Sequence, residues 1–113
     1  MKQQSQRNLA RKLVEFGLSD GSQVKVYVKR ASNEVPAGPR VFYFRCHIVE
    51  AWVTYVVILT DGLRAVLNAK GTSAEKIVET ALKYVKNEIM RGNFVDGTEL
   101  EFGALQEELF PAS

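Results

Sequence analysis

A chain of 113 residues, 46% hydrophobic and 25% charged, can bury one core but not two, and its composition is that of a folded protein. The net charge of +2 conceals an uneven distribution: residues 1–49 carry +6, residues 50–92 carry +1, and residues 93–113 carry −5 with no base. A single cysteine excludes an internal disulfide, and the hydrophilic residues 1–8 lack the apolar segment of a signal peptide, so a reducing, cytoplasmic setting is expected.

A first helix is predicted over Gln6 to Phe16, with Ser5 as its N-cap and Leu9, Leu13 and Phe16 as its apolar stripe. Gly17 then suits a left-handed helix end, with Leu18 folding back on Leu13. Asp20-Gly21 turns the chain into a strand of strict alternation, Val24, Val26 and Val28 against Gln23, Lys25, Tyr27 and Lys29. Pro36, Gly38 and Pro39 make residues 32–39 a loop. The next strand sets Phe42, Phe44, Cys46 and Ile48 against Tyr43, Arg45, His47 and Val49. The apolar run Val41 to Thr60 has membrane-spanning length, but Arg45, His47 and Glu50 would be costly in lipid, so strands are expected and no membrane partner.

Asp61-Gly62 matches a two-residue hairpin that pairs Thr60 with Leu63, Ile58 with Ala65 and Val56 with Leu67. These six then face the core, which leaves Tyr55, Val57, Leu59 and Arg64 on the wetter side. An odd-length turn near Ala51 is needed to bring Cys46 opposite Val56. A helix follows from Ala74 to Arg91, opened by a Thr72–Glu75 capping box, with Ile77, Val78, Ala81, Leu82, Val85 and Ile89 as its stripe and Gly92 as its close. In the tail, a short strand is expected over Thr98 to Phe102 and a short acidic helix over Ala104 to Phe110.

These elements predict an α+β two-layer sandwich: a mostly antiparallel four-stranded meander with two helices packed on one face, in the order α-β-β-β-β-α plus a short C-terminal element. Residues 1–113 form one domain, with 93–113 as an acidic extension packed on or flanking it. This order resembles that of double-stranded-RNA-binding domains, and Gly71-Thr72-Ser73 lies where that family begins its final helix. Ala74 and Glu75 stand where the family clusters phosphate-clamping lysines, so the resemblance is one of topology rather than membership.

The second sheet face is left open. It is expected to carry Tyr27, Tyr43 and Tyr55 beside Lys25, Lys29, Arg45, His47 and Arg64, with no acid among them. Rings that stack on bases and cations that follow phosphates make nucleic acid the first candidate ligand. A protein partner or a homodimer through the same face is the alternative, because Val57, Leu59 and Val66 add grease to it.

Catalytic chemistry finds no foothold. Cys46 and His47 are neighbours on a strand and point to opposite faces, so they cannot form a nucleophile–base pair. One His and one Cys cannot build a metal site without carboxylates, and Lys70-Gly71-Thr72-Ser73 lacks the spaced glycines of a phosphate loop. The expectation is a non-enzymatic binding module without cofactor or metal.

Overall fold

The computed structural model describes residues 11–30 and 41–111. In chain order the elements are β1 (Arg11–Gly17), β2 (Gln23–Arg30), β3 (Val41–Ile48), β4 (Ala51–Leu59), α1 (Asp61–Ala69), α2 (Ala74–Met90), β5 (Thr98–Phe102) and a 3-10 helix (Ala104–Leu109). The five strands form one open sheet in the order β1-β2-β3-β4-β5, antiparallel except for the parallel β4–β5 pair.

The two-layer α+β architecture stands, and four elements differ from expectation. The predicted helix Gln6–Phe16 is strand from Arg11 onward, while its proposed cap Ser5 and first turns lie outside the described residues. The register skips at Leu13, a β-bulge between Lys12 and Val14. A bulge inserts one residue, so Lys12 and Glu15, three apart, land on one face. That spacing imitates a helix.

The second difference is at Asp61-Gly62, which starts α1 rather than a hairpin. Thr60 is the N-cap, its hydroxyl accepting from the Leu63 N–H at 3.3 Å, and Asp61 sits favourably in the first turn. Gly62 is not among the glycines with positive φ, so it never takes the conformation that a type I′ turn demands. Leu63 and Leu67, one turn apart, are the buried side of this helix.

The third lies in the β3–β4 connection. It is a two-residue turn, Val49-Glu50, that pairs Ile48 with Ala51, Cys46 with Val53 and Phe44 with Tyr55. Val49 takes φ +57, strained for a β-branched residue, and gives the turn the sign pattern of type II′. Both sides of β4 are apolar enough to be buried, so its own pattern cannot choose; the pairing with β3 chooses. Val53, Tyr55, Val57 and Leu59 point inward, and Trp52, Thr54, Val56 and Ile58 point out.

The fourth difference is one residue in size. Ser73 rather than Thr72 caps α2, accepting from the Lys76 N–H at 3.2 Å. Gly92, at φ +85, ends that helix as expected. Among the described residues the first element is a strand and two helices follow β4, an order that differs from that of double-stranded-RNA-binding domains.

The inner face of the sheet and both helices share one core. It holds Val24, Val26, Phe42, Phe44, Tyr55 and Val57 from the strands, Leu63 and Leu67 from α1, and Ala81, Val85 and Ile89 from α2. The tail closes this core with Phe102 and Phe110, whose rings meet edge to face at 5.5 Å. The segment Asn93–Gly97 is tied to β4 at three points. The Tyr55 hydroxyl donates to the Asn93 carbonyl, the Thr54 N–H donates to Asp96 Oδ1, and the Gly97 N–H donates to the Thr54 carbonyl. These bonds deliver β5 to the far edge of the sheet. Among the described residues no helix is long and apolar enough to cross a membrane.

Candidate nucleic-acid interface

The outer face of the sheet follows from the alternation of β2 and β3, both of which adopt the orientation expected. Residues paired across antiparallel strands share a face, which arranges the outer side chains in rows. Glu15, Lys25, His47 and Trp52 form one row; Lys12, Tyr27, Arg45 and Thr54 form the next; Lys29, Tyr43, Val56 and Glu99 form a third.

Six of the eight predicted site residues are therefore brought together: Lys25, Tyr27, Lys29, Tyr43, Arg45 and His47. The other two are not. Tyr55 has no exposed surface and points into the core, because the two-residue β3–β4 turn sets Cys46 opposite Val53 rather than Val56, an odd shift of three positions that exchanges the faces of β4. Arg64 sits on α1, 7% exposed, and its Nη1 donates to Asp61 Oδ1 at 3.0 Å. It left the sheet when Asp61 began a helix.

The same change of register places Trp52 on the outer face. It is 48% exposed and lies at the centre of an aromatic cluster. Its ring centroid is 4.7 Å from that of His47 and 5.7 Å from that of Tyr27, both tilted, and the Arg45 guanidinium carbon lies 5.0 Å over the ring. Tyr27 belongs to β2 and Trp52 to β4, so the indole reaches across β3. The cation–ring contact is worth about 0.5–1 kcal/mol at an exposed site. The sequence signal was available: Trp52 alternates with Thr54 and Val56 once the turn is placed at Val49-Glu50.

The expectation of an acid-free face does not hold. Glu15 lies opposite Lys25 and accepts from Lys12 at 2.8 Å. That bond, more than the attraction of the charges, holds the Glu15 carboxyl below its usual range and raises Lys12. Glu99 and Glu101 stand opposite Val56 and Ile58 on β5. The face is thus polarised: cations on β2 and β3, acids on β5, and between them a strip of Val41, Val56 and Ile58 that is partly exposed.

Beside the aromatic cluster is a shallow depression of about 370 Å³, lined by Ser22, Gln23, Lys25, His47 and Val49. Among the described residues no cluster of His, Cys, Asp and Glu has the composition to hold a metal ion. Cys46 is buried on the opposite face from His47, and burial pushes its thiol up to about 12, so it is no nucleophile. The arrangement offers flat rings, cations and a small recess. No protein-family model matches this chain, and neither a curated protein nor a solved structure does.

Proposed function

We propose that the protein is a non-catalytic binding module whose outer sheet face takes nucleic acid. The observation that carries this reading is the half-exposed Trp52 packed with Tyr27, His47 and Arg45 and bordered by Lys25 and Lys29. Stacking of a base on an aromatic side chain is worth roughly 1–3 kcal/mol, and the neighbouring cations supply the attraction for phosphates that is independent of sequence. A buried, unpaired thiol suits a reducing, cytoplasmic environment for such a module.

The test is direct. Fluorescence polarisation with labelled oligonucleotides in low salt should detect binding that weakens steeply as salt is added. Replacing Lys25, Lys29 and Arg45 together with Glu should abolish it. Absence of binding to any nucleic acid at low salt removes the proposal.

A second reading has its own support. The cations of β2 and β3, the apolar strip and the acids of β5 make the face self-complementary under a two-fold axis parallel to the strands. A homodimer, or a protein partner of similar pattern, is what that arrangement fits. Light scattering that gives a monomer at high concentration excludes the homodimer.

A further inference from the structure

Resting on the nucleic-acid reading, we infer that the ligand is single-stranded, with one base stacked on Trp52 and its edge in the depression beside His47. Three observations carry this further step. First, the ring at the centre of the face is half exposed although three other planar groups converge on it, so open ring area remains for another plane. In a duplex, both faces of every base are already stacked on neighbours, and a sheet surface can reach only backbone or groove edges. Only an unpaired base can use this ring.

Second, the recess is small. At about 370 Å³ it lies near the lower end of the range for small-molecule pockets and has room for one nucleotide rather than a helix. Ser22, Gln23, Lys25 and His47, which line it beside Val49, offer both donors and acceptors to the edge of a base or to a sugar hydroxyl. Third, the charge pattern is narrow. Lys25 and Lys29 are four residues apart on one strand, about 13 Å, while Glu99 and Glu101 occupy the opposite edge. A single backbone can follow the cations of β2 without meeting β5. A duplex laid across the sheet would bring phosphates against those carboxylates.

Trp52 is the only tryptophan in the chain, so intrinsic fluorescence reports this site alone. Titration with a single-stranded oligonucleotide of about ten nucleotides should quench it, and a duplex of the same sequence should bind more weakly and leave the emission largely unchanged. Trp52→Ala should weaken single-strand binding roughly 5- to 150-fold, the equivalent of one stacked base. It should leave the slope of affinity against salt unaltered, because no phosphate contact is removed. His47→Ala should weaken the same binding without removing the fluorophore. If single strand and duplex bind alike, or binding leaves Trp52 emission unchanged, the single-strand inference is overturned while nucleic-acid binding stands. If neither binds, both fall.

Discussion

Two residues on the inner side of the sheet set limits on how the outer face is tested. Tyr55 was expected to stack on a ligand; instead its ring is buried and its hydroxyl donates to the Asn93 carbonyl, holding the segment that leads into β5. Tyr55→Phe therefore removes one partly buried hydrogen bond at little cost in packing. Stability measured by urea denaturation should drop by about 0.5–1.5 kcal/mol, and oligonucleotide affinity should not change. A variant that binds less tightly while remaining as stable as the parent would return Tyr55 to the ligand face. Cys46 gives a second readout, in pH. Its thiol is pushed up to about 12 in the folded chain by burial, and an unfolded thiol titrates near 8.5. The folded state keeps a proton that the unfolded state loses, so this contribution is whole below about pH 8.5 and is lost as pH rises toward 12. The slope approaches about 1.4 kcal/mol per pH unit. Burial raises the Tyr55 hydroxyl in the same direction. In Cys46→Ala, stability should decline less steeply between about pH 9 and 10 than in the parent. Equal slopes would show that the thiol titrates normally in the fold.

Among the elements, legibility in the sequence tracked whether one face of the element was distinct from the other. β2 and β3 alternate cleanly between apolar and polar, and α2 has a broad stripe closed by Gly92, so their orientation and the close of α2 could be read directly. β5 and the 3-10 helix also fall where a short strand over Thr98 to Phe102 and a short acidic helix over Ala104 to Phe110 were expected. β4 has no such contrast, and its orientation is decided by a long-range pairing that local pattern does not contain. β1 was obscured by its bulge, and α1 by a dipeptide with two meanings, since Asp-Gly can open a hairpin or follow a Thr N-cap. The consequence for the site is specific: a shift of three positions in the β3–β4 pairing exchanged Trp52 for Tyr55 on the outer face. Caps show the same sensitivity. Thr72 and Ser73 both suit an N-cap by residue type, yet only the Ser73 hydroxyl accepts from the Lys76 N–H, while the Thr72 hydroxyl is buried without a hydrogen-bond partner among the described residues. Ser73→Ala should cost about 1 kcal/mol of stability in thermal or urea unfolding. Thr72→Val should be close to neutral, because it replaces an unsatisfied buried hydroxyl with a methyl group of similar shape. The reverse ranking would mean that Thr72 caps the helix.

At the scale of the whole molecule, the uneven charge visible along the chain becomes a polarity across the sheet. The basic N-terminal half supplies β1 to β3, and the acidic tail supplies β5, so sequence asymmetry and spatial asymmetry coincide. The distances involved decide when this matters. With strands about 4.8 Å apart, Glu99 on β5 lies three strands, about 14 Å, from Lys29 in its own row on β2, and the other pairs among Lys25, Lys29, Glu99 and Glu101 are farther apart. That exceeds the screening length of about 10 Å at 0.1 M salt but is well within the roughly 30 Å that holds at 0.01 M. The acids should therefore repel a bound phosphate chain in dilute buffer and have little influence near physiological ionic strength. Replacing Glu99 and Glu101 with Gln should tighten oligonucleotide binding several-fold at about 0.01–0.02 M salt, with the gain shrinking toward nothing by about 0.15 M. Polarisation titrations of parent and variant at both salt concentrations measure this. A gain that persists undiminished at the higher concentration would mean that the carboxylates touch the ligand directly and that its path crosses β5. A loss of affinity would mean that they assist binding, which fits the charge-complementary protein interface better than a phosphate chain.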